Sequence, residues 1–463
     1  MNKPPFYPVI FIWALLLFST GAIAQDAASR GYSLQQAVDF ALANNVNVKN
    51  AQVDVKSSNA RVGEVRAIGL PQVSGQAQLI HNIEIQNVIL EVGAGPSFGG
   101  DPTAPQPPVG TPYSFPFQLK NNAVVSVNAN QLLFDGSYFI GLKAASTYKE
   151  LARKNLNQSK IQTVEAVTKA YYGVLVNRER LELLDLNVKY LDTLVRETKA
   201  MYDNGFVEKI DVDRLEVQLN NLDYQQQQVD RLQELSLNLL KFQMGLDMKQ
   251  NIQLTDSLYF EGIENFTVDP VADFDYSQRN EYSLLQTQKE LAYLDVRNNR
   301  SQYLPQLAAF GTFGYNPAAT KLSNITQKER WIDYSFVGLQ LNVPIFDGLS
   351  KHYKIQQAKL AYEKTNQNMS LLQNSIDLEI RQATITLTNN LDALKSQKRN
   401  LDLAAEIVRV TRIKYQQGVG SNIEVNNAIT AYKEAETNYY SALYDALIAK
   451  VDLDKATGKL LAE

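Results

Sequence analysis

Two periods of hydrophobic and polar positions run along this chain, and the switches between them mark its elements. Leu34, Val38, Ala41 and Leu42 recur at helical spacing, which predicts a helix over 34–66 that Pro71 stops. After Pro71 the period drops to two. Val73, Gly75, Ala77, Leu79, Ile83 and Ile85 fall on one side, with Gln72, Ser74, Gln76, Gln78, Asn82 and Glu84 on the other. A returning run sets Ala123, Val125, Val127 and Ala129 against Asn122, Ser126, Asn128 and Asn130. Later, Val337, Leu339, Leu341, Val343 and Ile345 alternate with Gln340 and Asn342. These runs predict strands over 72–90, 118–134, 306–315 and 334–346, with Phe310 falling on the polar side of the third.

Between the strands the helical period runs very long. It predicts helices over 137–203, 208–244, 271–302, 349–416 and 421–457. The 67 residues of 137–203 contain only Gly141 and Gly173 and no proline, and at ~1.5 Å per residue they reach roughly 100 Å. The helices over 34–66 and 208–244, stacked end to end, match that length. Leu181, Leu184, Val188, Leu191 and Val195 step by three and four toward one turn, and Val212, Leu215, Leu219, Leu222, Gln226 and Val229 step away from it. Val425, Ala428, Tyr432, Ala435, Tyr439 and Ala442 do the same beyond a second turn. These are antiparallel coiled-coil hairpins whose seams are expected to carry no chemistry.

The second half repeats the first. Leu133-Phe134-Asp135-Gly136 returns as Ile345-Phe346-Asp347-Gly348, and Tyr202-Asp203-Asn204-Gly205 returns as Tyr415-Gln416-Gln417-Gly418. Leu70-Pro71-Gln72 returns as Leu304-Pro305-Gln306. The organisation expected is a signal peptide over 1–24, a first repeat over 25–245, a linker over 246–270 and a second repeat over 271–463. The first 24 residues carry Lys3, an apolar stretch from Val9 to Phe18 and an Ala22-Ile23-Ala24 cleavage site. No cysteine is present, which excludes disulfides and a lipidated N-terminal cysteine. A net charge of −4 without a basic run argues against nucleic acid.

The polar strand face is Gln, Asn and Ser rather than Lys and Glu, and no amphipathic layer is left over to cover the apolar face. Strands of about 10 residues suit a bilayer-spanning barrel, the one sheet that pairs all its backbone groups in lipid. Four strands are too few to close one, since the smallest use about 8, so several chains must contribute. Residues 91–117 hold seven of the fifteen prolines and read as a long outer loop, against a shorter counterpart at 316–333.

The order of elements, the Leu-Pro-Gln and Phe-Asp-Gly joints and the two glycine tips together resemble the TolC family of outer-membrane efflux channels across essentially the whole mature chain. The resemblance implies a mixed all-α/β-barrel fold with internal duplication: four strands and long antiparallel helices per chain, and a homotrimer whose 12-stranded barrel continues into a 12-helix periplasmic tunnel. It implies outer-membrane lipid around the barrel, a periplasmic adaptor protein at the tips and an inner-membrane transporter of RND or ABC type beyond it. No cofactor, metal or catalysis is implied.

Carried onto this sequence, the adaptor-contact tips fall on Gly205, Phe206 and Val207, and on Gly418, Val419 and Gly420. The gate falls on Glu424 and Asn427, with Asp211 at the matching place in the first half. Only the first of the two ring positions is acidic, a departure from a double-aspartate pattern. Three Glu424 carboxylates about a threefold axis would repel one another and favour cations; a lone acid in a helix's first turn is also what the helix dipole favours. The helix–strand joints are Pro71, Pro305, Phe134, Asp135, Gly136, Phe346, Asp347 and Gly348.

The expected function is the exit duct of a tripartite efflux or secretion system for small molecules, with protein secretion or metal efflux as alternatives. A pore-free periplasmic coiled-coil scaffold is the reading from another class; it leaves the strand pairs unexplained. An enzyme finds no support, because His81 and His352 sit in no metal motif and no phosphate loop or nucleophile motif occurs.

Overall fold

The computed structural model describes residues 30–91, 110–258 and 274–461. The predicted signal peptide, most of the 91–117 loop and the far end of the 246–270 linker lie outside these residues.

The first repeat opens with strand β1 (Arg30–Tyr32) and two helices, α1 (Leu34–Asn44) and α2 (Val46–Ala67). Strands β2 (Gln72–His81), β3 (Asn87–Glu91), β4 (Pro112–Pro116) and β5 (Asn121–Phe134) follow, then the long helices α3 (Gly136–Asp203) and α4 (Lys209–Met244) and the short strand β6 (Ile252–Leu254). The second repeat contains α5 (Asn280–Ser301), β7 (Gln306–Tyr315), β8 (Ala318–Ala319), β9 (Asp333–Asn342), α6 (Ser350–Gln416) and α7 (Asn422–Ala456).

Several predicted elements need correction. The helix over 34–66 is two helices, because Asn45 leaves the helical conformation, caps α2 through Asn47 N–H, and gives its side-chain amide to the Gln243 carbonyl at 2.8 Å. That contact sets the end of α4 against the α1–α2 break, so the end-to-end stack is made there. The strand over 72–90 breaks after His81, where Asn82 N–H turns to the Lys120 carbonyl, and Ile83 and Ile85 fall in the turn rather than on the strand face. Beyond the break β3 pairs with β4 as a separate hairpin, so the predicted 118–134 strand begins at Asn121. The fourth strand ends at Asn342 instead of 346, since it has no neighbour on that side and Pro344 lacks a donor. The 271–302 helix starts at Asn280 after a short 3₁₀ turn.

One antiparallel sheet in the order β2-β5-β7-β9 carries the strand pattern, with β2 and β9 as open edges. Its register puts Val73 beside Ala129, Val127 beside Phe313 and Gly311 beside Val337 on one face. Gln76 beside Ser126, and Asn128 beside Thr312, lie on the other, where the Thr312 hydroxyl donates to Asn128 at 2.9 Å. Val127 is 51% exposed and its neighbour Ser126 only 5%. On the edge strands both faces are exposed, so the apolar face lies bare with no layer over it, unlike the covered apolar face of a water-soluble sheet. Phe310 does lie on the polar face, opposite Gly338, where a Cβ would stand 2.7 Å from the ring. The missing side chain makes room for the ring.

Helix α3 divides its length between partners. Its first part meets α2 and α5, with Lys154 Nζ donating to Thr287 at 2.6 Å. Its second part pairs with α4, where Asn177 donates to Ser236 at 2.8 Å. Helix α6 repeats the scheme with α5 and α7. At the waist β1 and β6 pair in parallel, and the Tyr171 hydroxyl donates to the Tyr32 carbonyl at 3.0 Å. Buried Arg279 closes the second joint by donating to Ala456 O, Glu281 and Glu379. No described helix is long and apolar enough to cross a membrane.

Candidate functional site: the two tips and their joints to the sheet

Each hairpin ends in the same backbone device. Gly205 (φ +79°) and Gly418 (φ +72°) adopt the left-handed conformation that lets the chain leave the helix. Phe206 N–H then reaches back to Met201 O at 2.9 Å, and Val419 N–H to Lys414 O at 3.0 Å. A Cβ on either glycine would meet nothing within 4 Å, so conformation rather than packing selects glycine there. The turn holds Phe206 and Val419 out at the same place, both 78% exposed. Val207 and Gly420 are half-buried behind them, and a Cβ on Gly420 would crowd Lys414 at 2.9 Å.

The residues expected at the gate follow directly. Ser421 caps α7 by accepting from Glu424 N–H at 3.3 Å, so Glu424 sits in the first turn, exposed and without an ion pair. Asn427 is exposed one turn further on, in a groove with Asp213, Arg214 and Ile423. Asp211 is half-buried and 4.0 Å from Arg214. The structure brings the two helix starts together through a residue that sequence reasoning missed, the buried Asn422, whose amide donates to the Asp211 carbonyl at 3.2 Å. Arg412 is a second missed residue. Its guanidinium lies 4.3 Å from the Tyr190 ring centroid and 4.0 Å from Glu197, linking α6 to α3.

A third correction concerns the α7 seam. The buried residue there is Glu436, at 2% exposure, while Ala435 is only half-buried. Val425, Ala428, Tyr432, Glu436, Tyr439 and Leu443 step by three and four, so the spacing contained the signal. The expectation of a chemically inert seam excluded a glutamate from it.

The joints differ between repeats. Asp135 caps α3 through Ser137 N–H (2.6 Å) and Tyr138 N–H (3.2 Å) and accepts from Gln306 at 3.0 Å, while Gly136 packs against Leu304 just before Pro305. Gln131 donates to Gly69 O at 2.8 Å, holding the turn before Pro71. In the second repeat Gly348 and Leu349 both take positive φ before the helix starts, and Asp347 accepts from Lys351 N–H at 2.9 Å. That backbone hydrogen bond outweighs partial desolvation and holds the Asp347 carboxyl below its usual range. Phe134 and Phe346 are both exposed, 41% and 80%.

With this geometry in place, comparison with known proteins decides the family. A model of the outer membrane efflux protein family matches residues 37–246 and 280–459, one segment in each repeat. The chain belongs to the outer membrane efflux protein family. Outer membrane protein TolC of Vibrio cholerae is 21% identical over 336 residues, covering 72% of this chain and 76% of its own. Outer membrane efflux protein BepC of Brucella suis is 22% identical over 463 residues, covering 97% and 90%. Alkaline protease secretion protein AprF of Pseudomonas aeruginosa is 21% identical over 328 residues, covering 70% and 67%. Among solved structures, the Vibrio cholerae outer membrane protein VceC superposes with a TM-score of 0.68 at 14% identity, covering 92% of this chain and 96% of its own. The CusC channel reaches 0.71 at 14% identity, covering 92% of both chains. The fold is that of these outer-membrane channels, and the family places the chain in the Gram-negative outer membrane, extending into the periplasm.

Proposed function

We propose that three copies of this chain form one exit duct, a 12-stranded barrel through the outer membrane continuous with a 12-helix periplasmic tunnel. The carrying observation is the uncovered apolar face of the sheet. Its apolar face is bare, its polar face is free of Lys, Arg, Asp and Glu, and both of its edges are open. An open edge in lipid leaves backbone groups unpaired, and only closure with further strands removes it. The helical hairpins continue from the sheet and end in tips that present Phe206 and Val419 to a periplasmic adaptor, which links the duct to an inner-membrane transporter. Cargo is small molecules driven by that transporter. Protein secretion through the same duct is the second reading, favoured by the similarity to AprF, a protease secretion protein.

Single-channel recording of the purified protein in a planar bilayer tests this. Small, stable, cation-preferring pores from a three-chain species are expected, with Glu424→Ala lowering the cation preference about two- to fivefold. Failure to insert would overturn the duct; unchanged selectivity in the variant would remove Glu424 from the gate.

A further inference from the structure

Glu436 is the most thoroughly buried carboxylate in the described structure, and it has no countercharge in contact. It lies on α7 where that helix crosses α3, 2% exposed. One oxygen, Oε2, accepts from Asn187 Nδ2 at 3.0 Å; the other, Oε1, is buried without a partner. Oε1 belongs to a residue that lines a cavity of about 340 Å³ between the two hairpins, together with Tyr190, Leu222, Val408, Arg412 and Ile429. Arg412 Nε, on the same cavity wall, is also buried and unpartnered. Polar atoms left without partners on both sides of a void mark a place where two packed bodies fit imperfectly.

The charges around the carboxyl do not compensate its burial. From α3 it faces Arg180 and Asn187; from its own helix, Lys433, Tyr432 and Tyr440; from α6, Arg409 and Arg412 across the cavity; from α4, only uncharged Gln218 and Leu222. Arg409 is held by Glu406 at 2.6 Å, and Arg412 by Tyr190 and Glu197. Burial pushes the Glu436 carboxyl up to about 7, against the weaker pull of Arg180, Lys433 and Asn187, and the same burial lowers Lys433. Both members of this loose pair are thus displaced toward their neutral forms.

We propose that Glu436 is a proton-dependent lock between the α3–α4 and α6–α7 hairpins: neutral, it keeps them packed above the tips, and ionised, it loosens that contact. The ordinary glutamate value is 4.5. Below about pH 4.5 the carboxyl is neutral whether the contact is packed or open, and proton binding does not discriminate between them. As pH rises toward 7 the open form, where water reaches the carboxyl, ionises first, and above about 7 the packed form carries the full cost of a buried charge. Loosening therefore grows with rising pH across the range a periplasm in contact with the medium experiences. The lock rests on the duct reading only for its consequence, tip opening; the packing effect stands without it.

Two measurements on the full-length protein separate the two. Hydrogen exchange of the α3 segment 184–195 and the α7 segment 425–440, corrected for intrinsic rates, should rise about tenfold between pH 6 and pH 8, following the ionised fraction of a group titrating near 7. Glu436→Gln, neutral at every pH, should flatten that rise. Asn187→Leu, which removes the hydrogen bond favouring the charged form, should move the midpoint upward. Bilayer recording should show longer open times at pH 8 than at pH 6 in the wild type and no such difference in Glu436→Gln. Equal exchange profiles in wild type and Glu436→Gln would overturn the lock. A Glu436-dependent exchange profile with no channels would keep the lock and overturn the duct. If Glu436→Gln does not fold, the Asn187→Leu midpoint decides the matter alone, and an unmoved midpoint overturns the proposal.

Discussion

Residue by residue, the tips are governed by backbone more than by side-chain contact. The two glycines stand in open space, so their role ends at the turn, and the side chains left exposed there are Phe206 and Val419. An aromatic ring left 78% exposed at the end of a helix of roughly 100 Å is poorly placed for any role inside its own chain. Phe206→Asp should therefore lower co-purification of a periplasmic adaptor at least tenfold while three-chain assembly on native gels is unchanged. Loss of the trimer instead would make Phe206 structural. The turns could be read from sequence because glycine at a positive-φ position needs no tertiary information. The contacts of Asn422, Arg412 and Glu436 could not be read the same way, even though spacing alone put Glu436 on the seam. Each acts by what lies across a helix–helix contact, and their surroundings come from residues 200 or more positions away, such as Asp211 for Asn422 and Asn187 for Glu436.

Among the elements, period-two alternation identified the four long strands, most cleanly in β2 and β5, whose polar face is mainly Gln, Asn and Ser; in β7 and β9 that face also carries Phe310, Tyr334 and Phe336. Where the strands stop was less legible. The alternation continues through Ile83 and Ile85, yet the strand pairing ends at His81, because the partner strand β5 starts at Asn121. Likewise Val343 and Ile345 keep the pattern beyond Asn342, where the partner strand β7, starting at Gln306, no longer runs alongside. Phe310, out of phase in the sequence, is accommodated by an element-level compensation that only the register exposes. Gly338→Val should drive a branched side chain into that ring and cost about 1–3 kcal/mol. Thermal unfolding should show the loss, and adding Phe310→Ala should recover most of it; independent, additive effects would disprove the pairing. The split at Asn45 escaped the periodicity because α1 and α2 continue one apolar face across the break.

At the level of the whole molecule, duplication explains why so much of the architecture was visible. Matching Phe-Asp-Gly joints and glycine tips 212 to 213 residues apart state that one half-unit is built twice. The repeats are not equivalent, however. Asp135 passes its strand straight into α3, whereas Asp347, Gly348 and Leu349 need two left-handed residues to make the same passage. Absence of cysteine gives a clean background for testing which sheet face meets water. In membranes, Gln340→Cys should react with a charged, water-soluble maleimide at least tenfold faster than Val337→Cys. Equal rates would mean that the apolar face is not covered by lipid.

The open edges at β2 and β9 also carry a kinetic consequence. On the duct proposed above, a lone chain does not complete its own sheet, so strand closure and association become one event rather than two. The rate of that event is then expected to rise with chain concentration, with no folded monomer accumulating in the bilayer to be recruited later. In that arrangement the segment after Asn342, with Pro344 withholding a donor, would find its partner in another copy. Dilution during export would then slow maturation.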